Sequence, residues 1–291
     1  MMRASLRRRG PAVALVGVGL AAALALTACG QGAKAEPNSP AADGLPSEHV
    51  HGVSRDPGSG KVNLATHTGL FVLQSDSSWQ KVGPEVDLMG FAISAPGTFY
   101  GSGHPGAGVD LPVPVGLIKS TDAGRTWTSL SRGGQSDFHA LTASSKGVMG
   151  FDGALSATAD GKTWSQGALP GEPSALASAP DGSQVLATTN DGVLSSTDGG
   201  RTWAPLASAP PLFLASSWAD SKTVVGVTTQ GELAVSEDAG ASWKMGAAKV
   251  SSAQAASASR DKAGVLEILV VTDTGVLQSR DSGATLTDLK S

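Results

Sequence analysis

The feature that most constrains this chain is an eight-residue motif that returns roughly every 40 residues. Ser120-Thr121-Asp122-Ala123-Gly124-Arg125-Thr126-Trp127 recurs as Ser196-Thr197-Asp198-Gly199-Gly200-Arg201-Thr202-Trp203, and again as Ser236-Glu237-Asp238-Ala239-Gly240-Ala241-Ser242-Trp243. Residues 158–164 (TADGKTW) are a copy one residue short. Residues 279–286 (SRDSGATL) carry Leu for Trp, and residues 75–79 (SDSSW) are eroded. From Asp122 onward the Asp positions step by 38, 38, 40 and 43. A short carboxylate that accepts backbone N–H groups, a glycine free to take positive φ, and a Trp that folds back over a strand edge are the chemistry of a hairpin turn.

Three strand-like runs precede each copy. In one repeat, runs at 174–179, 184–188 and 193–196 are separated by Pro180-Asp181-Gly182 and Asn190-Asp191-Gly192, and 203–206 closes a fourth strand. Four antiparallel strands per repeat predict an all-β, six-bladed β-propeller. Its blades fall near 47–83, 84–132, 133–169, 170–208, 209–247 and 248–291. Composition agrees: 38 Gly, 16 Pro and only 16% charged residues do not describe a helical bundle. The motif resembles the Asp-box, or BNR repeat, S-x-D-x-G-x-x-W, and that resemblance implies a scaffold role for the turns.

The N-terminus reads as an export signal. Arg3, Arg7, Arg8 and Arg9 precede an uncharged stretch from Pro11 to Ala28, which ends at Leu26-Thr27-Ala28-Cys29-Gly30. This resembles a bacterial lipobox, which implies a lipoprotein signal peptide at 1–28, a lipidated Cys29, and a place on the outer face of the cytoplasmic membrane. Residues 29–46, with three Pro and little apolar, read as a flexible tether, and 47–291 as the propeller. Removing 1–28 takes away four of 21 basic residues and none of 25 acidic ones, so net charge moves from −4 to −8. An acidic chain presents no basic face to nucleic acid. A single Cys excludes an internal disulfide framework and multi-Cys metal sites.

The topology assigns faces. If the strands of a blade run A to D from axis to rim, the Asp turns lie at the bottom, and the B–C loops and blade links lie on top. All five His then map to the top of the first three blades: His49 and His51 opening blade 1, His67 in its B–C turn, His104 in blade 2, and His139 opening blade 3. Met89 takes the opening position of blade 2, and Asp137 and Asp152 stand nearby. We expect His51, His67, His104 and His139 to line one cleft with Met89. That cleft is a candidate metal site, for copper if imidazole acts with thioether and for zinc if imidazole acts with carboxylate. A long blade 2 loop, 101–116, could lid the channel mouth.

Resemblance also frames the activity. Asp-box propellers include sialidases and other glycoside hydrolases. A sialidase needs an Arg triad and a Tyr nucleophile. Here Arg55, Arg125, Arg201, Arg260 and Arg280 map to the bottom, Arg132 lies near a top link, and Tyr100 is the one Tyr. Other glycosidases need two carboxylates, and Asp87, Asp110, Asp137, Asp152, Asp191 and Asp273 are top-face candidates, with Asp137, Asp152 and Asp110 foremost. Five of six Trp belong to the turns, leaving Trp218 as a possible sugar platform. Taken whole, residues 49–291 resemble bacterial Asp-box lipoproteins labelled glycosyl hydrolases, through His49-Val50-His51-Gly52, residues 65–70 (ATHTGL), residues 101–105 (GSGHP) and Asp137-Phe138-His139-Ala140. A related branch, the photosystem II assembly factors, binds protein partners. The resemblance implies a membrane-anchored module that binds a protein or carbohydrate ligand at its top face, with hydrolysis as the alternative.

Overall fold

The computed structural model describes residues 44–290. The expected signal peptide 1–28, Cys29 and nearly all of the tether lie outside the described residues. The tether's last residues do not behave as tether. Leu45 is buried against Val50, Leu64 and Leu269, and the Gly44 carbonyl accepts from Lys290 Nζ at 2.9 Å.

Six antiparallel four-stranded sheets follow one another along the chain, each with its strands in sequential order. Blade 1 is β1 (Val50–Arg55), β2 (Val62–Thr66), β3 (Gly69–Leu73) and β4 (Trp79–Val82). Blade 2 is β5 (Val86–Ala95), β6 (Thr98–Pro105), β7 (Leu117–Ser120) and β8 (Thr128–Ser131). Blade 3 is β9 (Ala140–Ser144), β10 (Gly147–Phe151), β11 (Leu155–Thr158) and β12 (Ser165–Gln166). Blade 4 is β13 (Pro173–Ser178), β14 (Val185–Thr189), β15 (Gly192–Ser196) and β16 (Ala204–Pro205). Blade 5 is β17 (Phe213–Trp218), β18 (Val224–Thr228), β19 (Glu232–Ser236) and β20 (Lys244–Lys249). Blade 6 is β21 (Ala255–Arg260), β22 (Leu266–Val271), β23 (Val276–Ser279) and β24 (Thr287–Asp288). The first strands of successive blades pack side by side, and β21 packs on β1 to close the ring. The fold is therefore an all-β, six-bladed propeller with no helix among the described residues.

Burial explains the strand sequences. Second strands have both faces covered by neighbouring blades, so β2, β14, β18 and β22 are buried at every position and read as unbroken runs rather than alternation. Inner strands crowd the axis and require small residues. A Cβ on Gly90 would sit 2.3 Å from the Phe138 carbonyl oxygen.

The Ser-Asp-Gly-Trp turns join third to fourth strands. Ser196 Oγ donates to Asp198 Oδ1 at 2.9 Å and accepts from the buried Gly200 N–H at 2.9 Å. Asp198 Oδ1 accepts from the N–H groups of Arg201 and Thr202, and Oδ2 from the Thr202 hydroxyl at 2.6 Å. The hydroxyl of Thr202 and then its N–H hold the Asp198 carboxyl down at about 2. Asp238 and Asp281 sit in the same cradle, each also at about 2, with Ser242 and Thr285 first among the causes. The motif Trp packs between its own blade and the one before: Trp203 joins Met149 and Leu155 of blade 3 with Leu176 and Val185 of blade 4.

Ring closure uses no shared strand. Blades 6 and 1 meet through a mixed apolar cluster and, at the bottom, through Glu267. This buried carboxylate of β22 accepts from Arg55 Nε, Gln278 Nε2 and Arg280 Nη1, the last at 3.1 Å.

Candidate functional site

A cavity of about 460 Å³ follows the axis. Its mouth is ringed by one residue per blade: His51, Met89, His139, Ser174, Leu214 and Gln254. In four blades the register slips at this place, between Val50 and Gly52, Leu88 and Gly90, Pro173 and Ala175, and Phe213 and Ala215. A bulge leaves one residue unpaired and re-aims it, which turns His51, Met89, Ser174 and Leu214 into the channel. The expected equivalence of His51 and Met89 thus has a backbone cause, whereas His139 stands just before β9, whose pairing with β10 carries no bulge.

A second local device places His67. Thr66 Oγ1 accepts from the Thr68 N–H at 3.1 Å and donates to the Gly69 carbonyl at 2.9 Å, tying the β2–β3 turn and lifting His67 to its top. The same Thr-x-x-Gly turn recurs at Thr189 and Thr272.

The expected single four-histidine cleft resolves into two clusters, each built on a carboxylate. In the first, His51 Nε2 lies 3.3 Å from His67 Nδ1, His67 Nδ1 lies 3.0 Å from Asp87 Oδ1, and His51 Nε2 lies 3.9 Å from that oxygen. His49 stands edge-on to His67, with ring centroids 5.7 Å apart. In the second, His139 Nε2 lies 2.9 Å and His104 Nε2 lies 3.7 Å from Asp137 Oδ2. Asp87 and His104 are cross-strand partners in β5 and β6, so the clusters adjoin across blade 2. Met89 lines the channel in the blade between them.

Burial lowers the pKa of His51 below its ordinary value, and the neighbouring His67 lowers it further; Asp87 opposes both. The neutral form of His51 is thereby favoured, and it has one ring-nitrogen lone pair to offer. The three atoms of the first cluster form a near-regular triangle. A point about 2 Å from all three exists, which is the length of zinc–nitrogen and zinc–oxygen bonds. Asp87 entered the sequence reading only as a hydrolase candidate. Its signal as a ligand was available in Val86-Asp87-Leu88, where buried neighbours flank a half-buried acid two residues before Met89.

The remaining candidates part from the clusters. Asp152 pairs with Arg132 Nη1 at 3.5 Å, and Arg132 covers the Trp164 ring at 4.7 Å. Asp110 is exposed on the loop from 106 to 116. That loop is shorter than expected, because β6 continues through His104 to Pro105 along the ten-residue β5. It is no lid: Val109 and Leu111 pack onto blade 2's own core, and none of its residues lines the channel. Trp218 is no sugar platform, being buried between blades 4 and 5 with Nε1 donating to the Ala177 carbonyl at 3.1 Å. Among the described residues, no Asp or Glu lines the channel wall. The described arginines are engaged within the fold: Arg55 and Arg280 on Glu267, Arg260 on Asp220, Arg132 on Asp152, and Arg125 and Arg201 on carbonyls of their own turns. Tyr100 packs beside Leu117 and Phe138.

No family model matches the chain, and no curated protein matches it. Solved structures do. An ancestral GH74 enzyme is similar over 87% of this chain at 13% identity and a TM-score of 0.54; the match covers 39% of that enzyme, so the chain spans well under half its length. A gluconolactonase from Xanthomonas campestris is similar over 79% of this chain and 86% of its own at 11% identity and a TM-score of 0.61. YCF48 from Cyanidioschyzon merolae is similar over 80% of this chain and 96% of its own at 13% identity and a TM-score of 0.51. At such identities the likeness is one of fold.

Proposed function

We propose that this chain is an exported Asp-box propeller, lipid-anchored at Cys29, whose top face binds a divalent metal through His51, His67 and Asp87. The observation that carries the reading is the triangle of three ligand atoms, with edges of 3.3, 3.0 and 3.9 Å, at the mouth of the channel. Two imidazoles and a carboxylate suit zinc, and three protein ligands leave a fourth position open. His67 is exposed, so that position faces solvent and can take a donor group from a protein or carbohydrate partner. The module then acts as a binding face held outside the membrane.

A carboxylate-pair glycoside hydrolase has less support, although the ancestral GH74 enzyme and the gluconolactonase share the fold. Asp87, Asp137 and Asp152 are each held by His or Arg, and the described channel wall offers no acid to protonate a leaving group.

Calorimetric titration of the purified protein with Zn(II) tests the metal. Saturable binding is expected, with the tighter equivalent lost in His51→Ala and in Asp87→Ala, and weakening as the pH is lowered, since a protonated imidazole has no lone pair with which to ligate. Absence of saturable binding, or binding unchanged in both variants, overturns it. For the anchor, Cys29→Ala is expected to move the processed protein from the membrane fraction to the soluble one; retention in the membrane refutes lipidation.

A further inference from the structure

The second cluster has features the first does not account for. Asp137 presents Oδ2 to two imidazoles at once, His139 at 2.9 Å and His104 at 3.7 Å. Its other oxygen, Oδ1, is buried and has no hydrogen-bond partner. An unsatisfied buried acceptor destabilises the fold, and among its ordinary explanations is a bound ion. The backbone here is held firmly. Phe138, between the two ligand-type residues, is fully buried, stacks on Trp164 with centroids 5.1 Å apart, and donates its N–H to the Ser102 hydroxyl oxygen at 2.9 Å. Asp137 and His139 therefore flank a fixed anchor. His104 arrives from the end of β6, in the next blade.

We propose that His104, Asp137 and His139 form a second divalent-metal site bridging blades 2 and 3, one step round the ring from the site bridging blades 1 and 2. The donor set repeats the first, two imidazoles and one carboxylate, and so selects the same borderline metals, Zn(II) above all. Asp137 supplies the anionic ligand. The rings of His104 and His139 have side-chain exposures of 47% and 65%, so both can turn their Nε2 atoms onto a cation without disturbing the core. Because His104 stands opposite Asp87, two cations would sit side by side, and their repulsion makes the second equivalent bind more weakly than the first.

The inference rests on the metal reading of the top face, but its test separates the two. Equilibrium dialysis of the purified protein against Zn(II) is expected to give two equivalents per chain. His139→Ala, which removes an exposed ring and leaves the fold intact, is expected to give one. His51→Ala is expected to give one as well, and the double variant none. Two equivalents of Zn(II) falling to one in each single variant is the supporting result. One equivalent in the wild type, unchanged by His139→Ala, overturns the second site and leaves the first standing. One equivalent abolished by either variant also overturns it, since all the residues would then serve a single ion. No binding in the wild type defeats both readings together.

Discussion

Removing the Glu267 carboxylate tests how this ring is closed. Each blade is a contiguous stretch of chain, so the seam between blades 6 and 1 has no backbone ladder across it. Glu267 is 3% exposed and gathers Arg55 from blade 1 with Gln278 and Arg280 from blade 6. Deleting one partner of a buried ion pair costs about 3–5 kcal/mol, because the remaining charge keeps its desolvation without its counter-ion. Here the cationic partners are wetter, with side-chain exposures of 23% for Arg55 and 46% for Arg280, so the lower end applies. Glu267→Ala is therefore expected to cost about 3 kcal/mol, and to lower Tm by roughly 6–12 °C in a domain of this size. Urea unfolding followed by tryptophan fluorescence measures it. The control is Glu237→Ala, whose exposed pair with Lys244 at 3.7 Å is expected to give about 0–1 kcal/mol. A loss at Glu267 no larger than at Glu237 would refute the reasoning and assign closure to the apolar cluster and to the Gln254 hydrogen bonds with Val50 and Glu48.

Three further outcomes follow from the same geometry. Ser196→Ala leaves the buried Gly200 N–H without its acceptor and is expected to cost about 1–3 kcal/mol with Zn(II) binding unchanged; weakened Zn(II) binding at unchanged stability would refute the bottom-face assignment. Trp218→Ala empties a buried site between blades 4 and 5 and is expected to cost about 3–5 kcal/mol by thermal or urea unfolding, whereas a ligand-platform role predicts near-native stability. The carboxyls of Asp198, Asp238 and Asp281 are held at about 2, below their unfolded value of 3.8, so their stabilisation is whole above about pH 4 and is lost as pH falls towards 2. Tm against pH is expected to drop steeply in that window, and a flat profile would contradict the cradle described for these carboxylates.

The fold was legible because the repeat speaks twice, once in the Ser-Asp-Gly-Trp turn and once in the strand runs before it. In blade 4 the expected runs at 184–188 and 193–196 lie within a residue of β14 and β15. Boundaries failed where one element outran the repeat. β5 is ten residues long and carries β6 along with it, so residues 101–105, read as loop from their glycines, are strand. Gly103 sits there at φ 137° with a virtual Cβ 1.9 Å from the Asp87 carbonyl oxygen, a close approach that residue type alone could not distinguish from a turn. Similarly, Leu45 looked like tether because its neighbours are polar, and only the packing of blade 1 shows a place for it.

The site was legible by face but not by pairing, for a physical reason. Strand order assigns each His to the top of its blade. Which His meets which carboxylate depends on three further devices: the bulge that aims His51 inward, the Thr66 turn that lifts His67, and the buried Phe138 that fixes Asp137 and His139. The bulge and the Thr turn recur in other blades with different side chains. Ser174 and Leu214 occupy bulges like that of His51, and Asn190 and Asp273 follow Thr residues as His67 does. A symmetric scaffold thus offers the same ring of positions six times, and residue choice confines imidazole to three consecutive blades. Structural demand does not account for that confinement, since blades 4 and 5 hold the same bulge and blades 4 and 6 the same Thr turn without a single His. Blades 4 to 6 meet the channel mouth with Ser174, Leu214 and Gln254, which carry no charge. A ligand drawn to metal on one side would rest its uncharged part against the other.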